Sequence, residues 1–168
     1  LVAQGLRQAL PNSPPQQLDV ASGKLNAYRL LEQQIQIANA AVYEAAQTQP
    51  HCAGMGTTIV STLFFDNRLL IAHIGDSRCY RLRGEEFVCL TRDHYVLQEQ
   101  IDLGLVTPEE ARYADYKNLV TRALGIDDEA EPDFTEYTVE VGDIFLLCSD
   151  GLNDMVEDQE IADILDSL

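Results

Sequence analysis

An α+β fold, an antiparallel β-sandwich with helices on both outer faces (four layers, α-β-β-α), is what residues 1–168 predict from three observations. A long stretch near the start carries apolar residues at helical spacing. Two later blocks hold short β-rich runs broken by turn residues, and the chain closes on another helical pattern.

Leu1, Val2, Leu6 and Leu10 fall on one side of a first helix, which the loop Pro11–Gln17 ends because Pro14 and Pro15 cannot continue it. From about Lys24, residues Leu25, Tyr28, Leu31, Ile35, Ala38, Val42 and Ala45 mark one stripe of a long amphipathic helix that stops before Pro50. The texture then changes. Thr57–Phe65, Leu69–Ile74, Cys79–Leu82 and Phe87–Leu90 read as strands of an antiparallel meander, with turns at Asp66-Asn67, Gly75-Asp76 and Arg83-Gly84. Thr107-Pro108-Glu109-Glu110 has the hydroxyl, proline and acid of a helix start, and Gly125 closes that segment. An acidic loop, Asp127–Asp133, leads to strands at Phe134–Val141 and Ile144–Cys148, joined through Gly142-Asp143 as a hairpin turn. Ile161, Ile164, Leu165 and Leu168 give the last helix. The pattern begins at Leu1 inside a helix and ends at Leu168 without a capping Gly or Pro, so one domain that is part of a longer chain is expected.

Acids outnumber bases 28 to 11, a net charge of −17. Nucleic-acid and anionic-membrane partners run against that charge, since both are bound by neutralising phosphates with Lys and Arg. Carboxylates in excess suit divalent cations or simply a solvated surface. The four cysteines, Cys52, Cys79, Cys89 and Cys148, form no CxxC pair, and no signal or membrane-length apolar run occurs. A cytoplasmic protein is the expectation, with Cys79, Cys89 and Cys148 as small apolar strand residues.

Spacing tests several chemistries. No cysteine has Arg six positions later, as a thiolate phosphatase needs, and Asp150 is followed by Gly and Leu rather than by a D-x-D pattern. Gly54-Met55-Gly56 lacks the Gly-Lys-Ser/Thr of a P-loop, and Ser149 lacks a G-x-S-x-G elbow. His51, His73 and His94 make no zinc pair; His73 reads as a core residue and His94 as a loop residue at a site edge or without a role. Oxygen chemistry is left. Asp76 and Asp150 each stand where an apolar strand meets a turn, beside Gly75 and Gly151. As turn pairs they are ordinary; if their strands are neighbours, they converge as ligands for Mg²⁺ or Mn²⁺. Arg78 and Arg122 read as braces for that region, and Arg81 and Arg83 as solvated residues pointing out of a strand.

The segments GMGTTIV, IAHIGDSRCYRLRG, LTRDHYV, KNLVTRALG and GDIFLLCSDGLNDMVEDQEI resemble, in order, the motifs of bacterial PP2C-type (PPM) metal-dependent Ser/Thr protein phosphatases, from about Asn39 to Leu165. The resemblance implies a β-sandwich between helical layers with a flap, here the insert from about Arg92 to Asn118. It implies hydrolysis of phosphoserine and phosphothreonine by a metal-bound water at a binuclear Mn²⁺ or Mg²⁺ centre. By that likeness Asp150 is a ligand of the binuclear centre, and Asp76 helps hold a third, weaker ion. Phosphorylated Ser/Thr proteins are the implied substrates and a cognate Ser/Thr kinase system the implied partner, without nucleic acid or membrane. The family's opening acidic and Asp-Gly-x-Gly-Gly motifs and its closing Asp-Asn motif have no counterpart in these residues. The sandwich is therefore expected to be incomplete, the other catalytic groups to lie outside the chain, and these 168 residues alone to be inactive. A non-catalytic phosphatase-like binding or regulatory module is the alternative, and a small-molecule or nucleotide phosphohydrolase on the same fold is a third reading.

Overall fold

The computed structural model describes residues 1–96, 100, 101, 103–107, 110 and 120–167. Two three-stranded antiparallel sheets pack face to face, in the orders β1-β2-β5 and β4-β3-β6. The strands are β1 (Ile59–Phe65), β2 (Arg68–Ile74), β3 (Arg78–Arg83), β4 (Glu86–Cys89), β5 (Asp133–Thr138) and β6 (Ile144–Cys148). Helices α1 (Val2–Ala9) and α2 (Asn26–Thr48) cover the outer face of the first sheet. Helix α4 (Asp158–Asp166) lies against β3 and β4 of the second, after the short helix α3 (Asp150–Asn153). The four layers expected from the sequence are present. Among the described residues no helix is long and apolar enough to cross a membrane.

The apolar run of β2 shows why it is central. Leu70, Ala72 and Ile74 pack under Leu30, Leu31 and Ile35 of α2, while Leu69 and Ile71 point the other way, toward Cys79 and Leu90. A strand covered on both faces carries no alternation of polar residues, so it reads as continuous hydrophobic sequence. Asp66 and Asn67, at φ 48° and 57°, close the β1–β2 hairpin with the left-handed pair that a two-residue turn requires.

The expected meander is not formed as one sheet. After β2 the chain crosses at Gly75–Ser77 to the opposite sheet, where β3 pairs with β4 and β6. The junction at Gly142-Asp143 is likewise a crossing, because β5 pairs with β2 and β6 with β3. Asp143 is more than a turn residue: its carboxylate, 1% exposed, meets Arg83 Nε at 2.6 Å and Nη2 at 2.7 Å. Arg83 also donates to Glu140 and to the Thr138 carbonyl, tying β3 to the opposite sheet's connection. Arg81 shares that face of β3 with Cys79 and pairs with Glu86, so neither arginine is a free solvated side chain. Cys79 is buried as expected, whereas Cys89 is exposed.

The acidic loop is anchored from α2. Buried Asn39 accepts from the Gly125 amide at 2.7 Å and donates to the Asp127 and Asp128 carbonyls, and Gln36 exchanges two hydrogen bonds with the Ala130 backbone. Thr107 and Glu110 form the reciprocal capping contacts their spacing predicts, but the helix they were expected to open and the body of the 92–118 insert lie outside the described residues.

Asn39→Ala should lower unfolding free energy by about 1–3 kcal/mol in urea denaturation, since it leaves the buried Gly125 amide without a partner. The Arg83 guanidinium holds the Asp143 carboxyl down to about 2, from an ordinary 3.8. A depressed carboxyl contributes stability that is complete above its unfolded value and lost as pH falls through the folded one. Stability should therefore drop between pH about 4 and about 2, and Asp143→Asn should be less stable at neutral pH with a flatter acid limb, read from denaturation midpoints across that window.

Candidate functional site

One end of the sandwich collects the chemistry. There β2 ends, β3 and β5 begin, and β6 runs out into α3. The register of β3 and β6 pairs Arg78 with Cys148; stepping two residues outward on each strand reaches Asp76 and Asp150. The two acids singled out in the sequence thus stand at the same end of one antiparallel pair. Asp76 is buried at the crossing between sheets, and Asp150 is exposed in the first turn of α3. Asp154 follows α3, close enough to Tyr95 to act on its ionisation.

Gly75 is required where it sits. Its φ is +100°, and a Cβ there would lie 2.3 Å from Thr58 Cγ2. Gly151 is different: it is helical, and a Cβ would meet only Ser149 Oγ at 3.5 Å, so the expected tight turn is absent and the space beside Asp150 is open.

His94 grips the Gly75 peptide from both sides. The His94 amide donates to the Gly75 carbonyl at 3.0 Å, and the Gly75 amide donates to His94 Nδ1 at 3.0 Å. An amide N–H can only donate, so Nδ1 is the acceptor and the ring proton sits on Nε2, directed at Asp133 Oδ2 at 3.1 Å. Burial lowers the pKa of His94, with Arg122 and His73 adding and Asp133 opposing, which keeps the ring neutral for this role. Burial works against the charge of Asp133, but hydrogen bonds from Arg122 and His94 outweigh it and hold that carboxyl below its usual range. Arg122 spans both Asp133 oxygens. Arg78 pairs with Asp93 through Nε and Nη2, at 2.6 Å for the shorter contact, and donates Nη1 to the Tyr80 hydroxyl. Arg122 and Arg78 are braces, as their positions in the sequence suggested.

His73, His94 and Asp133 bring ligand atoms within 4.8 Å of one another. Yet of the two stacked imidazoles, centroids 4.7 Å apart and 27° between planes, only His73 Nδ1 is left without a partner among the described residues. Both His94 nitrogens are engaged, and His73 Nε2 donates to the Arg92 carbonyl. The set is best described as a hydrogen-bonded buttress behind Gly75. Asp76 and Asp150 offer the better donors: among the described residues neither carboxylate is paired with a Lys or Arg, and Asp76 accepts only the Tyr95 hydroxyl, at 2.9 Å on Oδ2.

Sequence reasoning missed Tyr95, Asp133 and Asp154. Tyr95 lies within the LTRDHYV segment beside His94, and an aromatic hydroxyl next to a site-edge residue was the available signal. Asp133 comes into play only because β2 and β5 align it with His73, a pairing across about sixty residues that has no local mark.

A sequence model of the family described as protein phosphatase 2C matches residues 1–168. Protein phosphatase PhpP of Streptococcus pneumoniae is 42% identical over 133 residues, which cover 79% of this chain and 54% of PhpP. The chain therefore spans about half the length of that relative. The crystal structure of the Staphylococcus aureus Ser/Thr phosphatase Stp1 superposes with a TM-score of 0.79 at 32% identity, covering 98% of this chain and 62% of that one. The catalytic domain of the Ser/Thr phosphatase PstP, solved with two manganese ions, gives 0.71 at 38% identity, covering 98% and 66%.

Gly75→Ala is expected to destabilise by about 2–4 kcal/mol, from left-handed strain and the Thr58 collision, while Gly151→Ala changes stability by less than about 1 kcal/mol. Paired denaturation curves would check both.

Proposed function

The chain belongs to the protein phosphatase 2C family, and on that premise we propose that it carries part of the catalytic domain of a metal-dependent phosphoprotein phosphatase acting on phosphoserine and phosphothreonine. The observation that carries the reading is the β3–β6 register, which sets Asp76 and Asp150 at one strand-pair end without a basic partner among the described residues. Relatives named as Ser/Thr phosphatases, one solved with two manganese ions, support it.

The cofactor is Mn²⁺ or Mg²⁺. The donor set fits: hard carboxylate oxygens at the site, with both imidazole nitrogens of nearby His94 already committed. When bound, such ions activate water and neutralise charge on a transferring phosphoryl group. The protein's own contribution is placement. Strand β6 fixes where Asp150 leaves the core, the Gly75 turn fixes Asp76, and Arg78 and Arg122 are held on other acids, away from those carboxylates. The insert at about 92–118 is proposed as a flap beside this site; its roots meet the Gly75 turn at His94 and Tyr95, with Tyr95 bridged to Val120 and His94 accepting from Thr121. Phosphoproteins of a Ser/Thr kinase system, in the cytoplasm, are the proposed substrates.

The full-length protein should release phosphate from phosphoserine and phosphothreonine peptides only with Mn²⁺ or Mg²⁺ present, and Asp150→Asn should reduce that rate at least about 100-fold. Turnover on nucleotides exceeding that on phosphopeptides would replace this reading with a small-molecule phosphohydrolase. Absence of any metal-dependent turnover, with the fold intact by circular dichroism, would favour a binding module.

A further inference from the structure

We propose that Tyr95 is a positioning residue for metal at Asp76: its hydroxyl holds Oδ2, so that Oδ1 alone is presented to the cation. The inference rests on the reading of Asp76 as a ligand and goes beyond it by naming the group that orients that ligand.

An isolated strand-end carboxylate has two equivalent oxygens and a side-chain rotor. It binds a dication in several ways, each with an entropic cost for fixing the rotor. Here the rotor is fixed beforehand. Asp76 is only 8% exposed, and the 2.9 Å contact from the Tyr95 Oη occupies one carboxylate oxygen. Tyr95 is itself tethered: it forms a bridge with Val120, and the preceding residue, His94, grips the Gly75 peptide through two 3.0 Å hydrogen bonds. Backbone and side chain of the Gly75–Asp76 unit are thus both held by the consecutive residues His94 and Tyr95.

The chemistry of the donor matters. A phenol gives one neutral hydrogen bond and leaves the carboxylate its full charge, whereas a guanidinium in the same place would cancel the charge the cation needs. Arg78 stands two residues from Asp76, yet its fork is turned to Asp93 and Tyr80. Outer hydrogen bonds of this kind typically change metal affinity by about 10–100-fold.

The experiment is a Mn²⁺ titration of the protein, read from the electron paramagnetic resonance signal of free Mn²⁺, for wild type, Tyr95→Phe, Asp76→Asn and the double variant. The expected result is an ion lost in Asp76→Asn, the same ion bound about 10–100-fold more weakly in Tyr95→Phe, and no further change when Tyr95→Phe is added to Asp76→Asn. A merely structural tyrosine would weaken all ions alike and add to the Asp76 effect, which overturns the proposal. Unchanged or tighter binding in Tyr95→Phe, with Asp76→Asn still losing an ion, overturns the positioning role and leaves Asp76 a ligand. Binding that Asp76→Asn does not alter overturns both.

Discussion

The antiparallel register between β3 and β6 is the constraint from which the site follows. Because Arg78 faces Cys148, the residues two steps outward are Asp76 and Asp150, and a slip of one residue would turn every side chain of β6 to the other face. The register is itself secured by what the two faces of β3 bury. Cys79 looks into the layer between sheets, while Tyr80 looks outward, stacks on Phe87 at 4.9 Å and meets Asp158 at the start of α4. Packing far from the acids therefore fixes where they stand.

The arginines near this end complete the arrangement by being unavailable. Arg78 is on Asp93, Arg122 on Asp133, and at the far end Arg83 on Asp143 and Glu140. Arg78 and Arg122 each meet a single carboxylate through two nitrogens, a bidentate geometry more selective than a lysine contact. The consequence is a division of labour among the acids. Asp93, Asp133 and Asp143 are paired with arginine, whereas among the described residues Asp76 and Asp150 are not.

Much of the layer structure was legible in the sequence, and the reasons are local. Helix α2 has a regular apolar stripe, β2 is a bare hydrophobic run, and the Asp66-Asn67 turn has residues that tolerate left-handed backbone. What was not legible is which strand lies beside which. Gly75-Asp76 and Gly142-Asp143 have the letters of hairpin turns, but both are crossings between sheets, a choice decided by distant partners β5 and β6. Arg81 and Arg83 were placed outward because charge is ordinarily solvated. The alternation along β3 instead sets them on the face of Cys79, where Glu86 and Asp143 supply the compensation. Asp76 and Asp150 stood out because an acid at the mouth of an apolar strand is unusual. Tyr95, Asp133 and Asp154 did not, since each matters only through a neighbour brought to it by the fold.

Placing acids on rigid strand ends has an energetic corollary. Like charges gathered at one strand-pair end repel one another, and a chain of net charge −17 adds a long-range component of the same sign. Asp76, buried and held by Tyr95, cannot relieve such repulsion by moving away, whereas Asp150 is exposed in the first turn of α3, just past β6. If these carboxylates hold a cation as proposed, the ion offsets that repulsion, and cation binding and folding stability are then coupled. On that proposal, filling the site should raise the stability of the fold.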